Sequence, residues 1–225
     1  MNSISLRNII MMIPILFIAL PVHEFAHGWV AYRMGDPTAK YAGRLTLNPF
    51  KHLDLMGVLM MFLVGVGWAR PVPVNSTYLK NRRTGLLLIS LAGPLSNLVL
   101  AFLGMFIWGL IVKLVNVGII VINSMTMADV LIYGTEFLQA FIFVNISLAV
   151  FNLIPVPPLD GSRILSSVIP EESYYRFARY EQFIGLAFLL LVVVLPDNLF
   201  SRFINFFAMP IYDSMVLTVR LIFGM

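Results

Sequence analysis

Residues 8–32 read NIIMMIPILFIALPVHEFAHGWVAY, an apolar run that carries two histidines and a glutamate before the first charge that follows it, Arg33. A helix needs about 20 predominantly apolar residues to cross a bilayer, and this run is long enough. Arg7 is the only basic side chain ahead of it, and no small-x-small cleavage pattern closes it. It therefore reads as a retained span rather than a removed leader.

The rest of the chain has the same character. Of 225 residues, 60% are hydrophobic and 12% charged, and the mean hydropathy is +0.90. A soluble domain carries about 25% charged residues, so a soluble globule and a disordered chain are both excluded. The composition predicts an all-α polytopic membrane protein with about five to six transmembrane helices, forming one domain over residues 1–225. With no cysteine there is no disulfide scaffold and no thiolate metal site. The net charge of +4 is spread over short loops without a long basic run, which is an orientation signal and argues against a nucleic-acid partner.

Apolar segments recur at 55–68, 85–116, 128–154, 182–196 and 199–222. The segment 55–68 is only 14 residues long, with Arg33, Lys40, Arg44 and Lys51 before it and Arg70, Lys80, Arg82 and Arg83 after it. A true span would put equal charge on both faces. It is read instead as re-entrant or shallow, with both flanks cytoplasmic. The N-terminus is then external and the C-terminus internal. Residues 171–181 (EESYYRFARYE) have the polar and aromatic make-up of an interfacial stretch. Glu136 is left with two readings, a partner for Lys113 or part of a water-accessible outer pocket.

His23-Glu24-Phe25-Ala26-His27 is an HExxH. On a helix, residues four apart share a face, so both imidazoles can bind one metal ion while the adjacent carboxylate reaches the attacking water. Ionisable groups inside an apolar helix are costly unless paired or metal-bound. The plain alternative is a pair of hydrogen-bonded core histidines. A zinc site of this type needs a third protein ligand; His52, Asp54 and Asp160 all fall on the same face. Asp160 follows Pro155, Pro157 and Pro158 and precedes Gly161, where the helix must stop. Irregular backbone at membrane depth has to line a cavity or be buried in protein. The stretch 152–160 is accordingly expected to be extended and to line a cavity. Asp160 could also simply cap a helix over 161–168.

Taken together these motifs resemble the site-2 protease family of intramembrane zinc metalloproteases, in its small bacterial and archaeal form without PDZ or CBS domains. HEFAH matches the family's HExxH. Asn152-Leu-Ile-Pro155 with Leu159-Asp160-Gly161 matches its second motif, and Gly93-Pro94-Leu95-Ser96-Asn97 is similar to the Gly-Pro-x-x-Asn of the intervening helix. Gly43 to Pro49 with His52, and Gly67-Trp68-Ala69-Arg70-Pro71-Val72-Pro73-Val74, resemble its loop motifs. The resemblance spans about residues 15–168, and the catalytic core is expected over about 8–168, with C-terminal helices at about 182–222. Leu55 and Ser162 stand where many members have Pro and Gly.

The resemblance implies one Zn2+ per chain held by His23, His27 and Asp160, with Glu24 as general base and later proton donor. It implies a membrane-anchored protein substrate, cleaved in or near its transmembrane segment, and a multi-pass protein of the cell membrane with its site nearer the cytoplasmic face. Asn152 and, second, His52 are candidates for holding the substrate backbone or the oxyanion. Asn97, beside Gly93 and Pro94, is assigned to close helix packing. A divalent-metal transporter would show a midplane site and inverted repeats, and neither is visible. A non-catalytic scaffold would have shed Glu24 or a ligand.

Overall fold

The computed structural model describes residues 6–57, 69–194 and 197–225. Their regular structure is helical: α1 (Leu6–Arg33), the short α2 (Thr38–Tyr41), α3 (Arg82–Asn116), α4 (Met125–Asn152), α5 (Asp160–Val168), α6 (Glu171–Val194) and α7 (Asp197–Phe223). The local sequence accounts for the boundaries. Asn81 caps α3 by accepting the Thr84 N–H at 3.1 Å, and Ser124 caps α4 by accepting that of Met127 at 3.2 Å. The end of α4 falls just before the proline-rich stretch, as proline requires. Pro14 and Pro21 lie inside α1 and Pro94 inside α3, which membrane helices tolerate because neighbouring groups satisfy the freed backbone.

Among the described residues, four helices are long and apolar enough to cross a membrane: Ile10–Arg33, Arg82–Asn116, Met125–Asn152 and Leu199–Phe223. The sequence suggested five to six. The apolar segment at 182–196 and the polar stretch 171–181 turn out to be largely one helix, α6, whose first half carries the charges. The short segment at 55–68 lies mostly outside the described residues. Its flanks are joined: Leu53 and Ala69 form an isolated antiparallel bridge, and the Arg70 N–H donates to the His52 carbonyl at 2.8 Å.

Helix α3 is the axis of the bundle and packs against α1, α4, α5 and α7. Its sequence explains why. Leu95, Val99, Leu103, Ile107 and Leu110, spaced four and three apart, form one exposed apolar stripe suited to lipid. The opposite face buries Gly93, Asn97, Ala101, Gly104, Met105 and Gly109, and such small residues let membrane helices approach closely. A core of Ala101, Met105, Ile142, Ile146, Ala208 and Val219 joins α3, α4 and α7. Glu136 on α4 pairs with Arg7 on α1, whose guanidinium also lies 5.3 Å from the centre of the Tyr133 ring. Lys113 is not its partner.

The loops 34–54 and 69–81 gather at the C-terminal end of α1. Asp36 is fully buried, and its two oxygens accept the backbone N–H of Thr38 at 2.9 Å and of Asn75 at 2.6 Å. Replacing it with alanine strands both donors, at a cost of about 2 kcal/mol or more. Asp36→Ala is expected to lower the thermal unfolding midpoint in detergent markedly. Asp36→Asn, which keeps one acceptor oxygen, should lose less.

Candidate metal centre

His23 and His27 lie one turn apart on α1, and their Nε2 atoms are 3.0 Å from each other. The Asp160 Oδ2 lies 3.2 Å from the first and 3.1 Å from the second. All three side chains are largely buried, the carboxylate at 12% exposure. Four-coordinate zinc with bonds near 2.0–2.1 Å has ligand atoms about 3.3 Å apart along each tetrahedral edge. The observed triangle is of that size. The His27 Nδ1 donates to the Ile89 carbonyl at 2.6 Å, which leaves the Nε2 lone pair of the neutral ring directed at the other two groups. With both rings neutral, two nitrogen lone pairs and a carboxylate oxygen converge on one point, a geometry able to hold a cation. The donor set, two nitrogens and one oxygen, suits zinc and leaves a coordination position open.

Two glycines make this convergence possible. A Cβ on Gly93 of α3 would sit 2.3 Å from the His27 Nε2 and 2.6 Å from the His23 Nε2. The bare backbone at Gly93 thus forms one wall of the cradle, and any side chain would occupy the space of an ion. A Cβ on Gly161 would lie 2.3 Å and 2.4 Å from the carbonyl oxygens of Leu153 and Ile154. Without that glycine, α5 could not close on the turn that precedes it. Asp160 is the first residue of α5, Leu159 occupies the cap position, and no side-chain cap bond is made there. The carboxylate faces the histidines instead of capping the helix.

The expected extended conformation of 152–160 is not found. The stretch folds into consecutive tight turns, with a cis bond between Pro157 and Pro158. Its N–H groups are spent locally: Ile154 to Phe151, Val156 to Ile154 and Leu159 to Val156. The three prolines have none. The same prolines that break the helix thus leave no row of backbone donors for a strand to pair with.

Glu24 points elsewhere. Its Oε2 accepts the Val72 N–H at 2.7 Å. Val72 stands between Pro71 and Pro73, so it owns the one N–H in that triplet. A residue before proline is held extended, which keeps this donor aimed. His52 is nearly fully buried, and its Nε2 bonds to the Thr46 carbonyl at 2.7 Å. Asp54 accepts the Gly57 N–H at 2.9 Å. Neither belongs to the convergent group, which among the described residues consists of His23, His27 and Asp160. Asn152, the last residue of α4, donates to the Leu148 carbonyl of its own helix at 2.9 Å.

Asn97 does more than pack. It is fully buried, and its Oδ1 lies 2.7 Å from the His23 Nδ1. One signal in the sequence could have found it. Gly93 and Asn97 are four apart and share a face of α3, so the glycine that admits the imidazoles also brings the amide to them.

The family model described as peptidase family M50 matches residues 11–192. The chain belongs to peptidase family M50. This agrees with the resemblance to site-2 proteases carried by the motifs. Among its relatives, "Putative zinc metalloprotease YwhC" of Bacillus subtilis is 40% identical over 181 residues, covering 79% of this chain and 78% of its own. "Putative zinc metalloprotease Rip2" of Mycobacterium tuberculosis is 32% identical over 194 residues, covering 83% and 68%. "Zinc metalloprotease MJ0392" of Methanocaldococcus jannaschii is 25% identical over 181 residues, covering 80% of this chain and 41% of that one. No solved structure matches the chain.

The cradle gives this M50 chain a sharp dependence on Gly93. Metal analysis of the purified protein should return one zinc per chain. Gly93→Ala should return almost none while the protein still inserts in the membrane, and zinc at wild-type stoichiometry in that variant would remove Gly93 from the site.

Proposed function

We propose that the chain is a zinc-dependent intramembrane endopeptidase that cleaves membrane-anchored proteins in or near their transmembrane segments. The observation that carries this reading is the meeting of His23, His27 and Asp160 ligand atoms within 4.8 Å of one another, with Glu24 next to the first of them in a helix long and apolar enough to span. The names of the relatives, each of which contains the words zinc metalloprotease, support it.

In this mechanism His23, His27 and Asp160 hold the metal, and zinc bound there supplies a Lewis acid that polarises a carbonyl and makes water more acidic. Glu24 takes a proton from the attacking water as its oxygen bonds to the scissile carbonyl carbon. It then delivers that proton to the amine nitrogen as the C–N bond breaks. For that exchange the Glu24 carboxylate must present an oxygen to the substrate side, and its bond to the Val72 N–H leaves the second oxygen available. Asn152 uses one amide hydrogen on Leu148 and has a second to offer, so it remains our candidate for the oxyanion or the substrate backbone. His52 gives its Nε2 to Thr46 and is better suited to bracing the loop.

The loops 33–84 carry eight Lys and Arg residues and meet at the end of α1 that holds the histidines. Leu53 and Ala69 form a bridge, so these two loop residues lie on one side. Both observations support a cytoplasmic site and an external N-terminus. His27 and His23 are six and ten residues from Arg33, which sets the metal about 9–14 Å along the helix from that charge. A transporter reading is not favoured, since no inverted repeat is visible in the sequence and the relatives carry the name zinc metalloprotease.

Glu24→Gln should keep both zinc and fold while cleavage of a membrane substrate falls by about 10²–10⁴-fold; near-normal cleavage would sink the mechanism.

Topology is open to cysteine labelling, because the chain has no native cysteine. A single cysteine at Tyr41, 83% exposed, should react with an impermeant reagent only from the cytoplasmic side, and one at Ile119, 69% exposed, only from outside. The reverse pattern would invert the assignment.

A further inference from the structure

A chain of side-chain hydrogen bonds runs inward from the candidate metal centre to α4. The His23 Nδ1 meets the Asn97 Oδ1 at 2.7 Å, the Asn97 Nδ2 donates to the Asn145 Oδ1 at 3.0 Å, and the Asn145 Nδ2 donates to the Phe141 carbonyl at 2.8 Å. Both asparagines are fully buried. The two ends of an asparagine amide are distinguished by their partners, and here the far end decides. A backbone carbonyl can only accept, so the Asn145 amine must face Phe141. The Asn145 oxygen therefore faces Asn97, the Asn97 amine faces Asn145, and the Asn97 oxygen faces His23. The imidazole must then carry its proton on Nδ1, which frees Nε2 as a ligand. His27 reaches the same state in one step through the Ile89 carbonyl. His52 is the contrast: its Nε2 faces a carbonyl, so its proton sits on Nε2, the atom that His23 and His27 leave bare.

We propose that Asn145, which touches neither the histidines nor the carboxylate, is a positioning residue for the metal site. It locks the Asn97 amide in the one orientation that keeps the His23 Nε2 lone pair directed at the ion. The chain has a defined polarity, set by the Phe141 carbonyl on α4 and read out on α1. Without Asn145 the Asn97 amide is free to turn over and present its amine to the His23 Nδ1. That would favour the tautomer with the proton on Nε2, which cannot bind metal.

The inference rests on His23 being a metal ligand, and the experiment separates the two. Zinc dissociation constants would be measured by chelator competition on the full chain in detergent micelles, with thermal unfolding of the zinc-free protein as the control for packing. Loss of such an outer partner costs about 10–100-fold in metal affinity, and Asn145→Leu should raise the zinc Kd by that amount. Asn145→Asp should restore it to within a few-fold. In an apolar site the carboxyl stays protonated, so its O–H can donate to Phe141 while its C=O accepts from Asn97. In an Asn97→Leu background, Asn145→Leu should add nothing, because its effect passes through Asn97. A residue that only packs would move the unfolding midpoint and leave the zinc Kd alone. A zinc Kd within twofold of wild type for Asn145→Leu overturns the relay, as does equal weakening by Asn145→Leu and Asn145→Asp, or additive loss in the double variant. If Asn145→Leu is not recovered folded, Asn97→Leu carries the same expectation, and an unchanged Kd there overturns the proposal. His23→Ala tells the two failures apart: zinc retained in that variant refutes the metal-site reading itself, and zinc lost there but kept in Asn145→Leu refutes the relay alone.

Discussion

The site depends above all on how closely α3 can approach α1. Two imidazoles one turn apart on α1 project into the space where a neighbouring helix would ordinarily put its side chains. At Gly93 there is no side chain, and the backbone of α3 forms the wall of the cradle directly. From that contact the other placements follow. Ile89, one turn earlier on α3, offers its carbonyl to His27, and Asn97, one turn later, offers its amide oxygen to His23. The lipid-facing stripe of α3 and its small-residue face are two consequences of the same helix having to be a membrane span on one side and a metal-site wall on the other.

The second constraint concerns chain geometry between α4 and α5. Asp160 is far from the histidines in sequence and has to arrive at a fixed point between them. Three prolines and a glycine achieve this with a compact run of turns. The carboxylate sits at the first position of α5, where the N-terminal end of a helix also favours negative charge. The turns use their own amides internally, so this segment places a ligand and offers no strand edge.

Much of this was legible in the sequence, for reasons that can be stated. Composition identified a helical membrane protein because a bilayer admits few alternatives. The spacing of His23 and His27 was readable because helical periodicity is local, and the Asp160 context stood out because three prolines within four residues cannot continue a helix. Less legible was whatever depended on two segments meeting. Asn97 looked like a packing residue because its partner lies on another helix. Of the two readings of Glu136, pairing with Lys113 gives way to pairing with Arg7, far off in the chain, and Glu136 also lines a pocket with Arg7 and Gln139. The extended conformation expected of 152–160 was wrong because several prolines in a row also suit tight turns, and the choice is made by Gly161 packing on the carbonyls of Leu153 and Ile154. The polar stretch before residue 182 was separated from the apolar segment after it because composition changes there while the backbone does not.

The contact between Glu24 and Val72 has a consequence for how the chain can be probed and how it can vary. The group that holds the carboxylate is a main-chain amide, so side-chain truncation along the loop leaves it in place; at Val72, whose side chain is buried, alanine would cost packing and keep the hydrogen bond. The two flanking prolines bear on the hydrogen bond itself, because their rings restrict the backbone that aims the amide. Substitution at Val72 is limited by the room around its buried side chain, and proline is excluded on separate grounds: a third proline there would erase the donor itself.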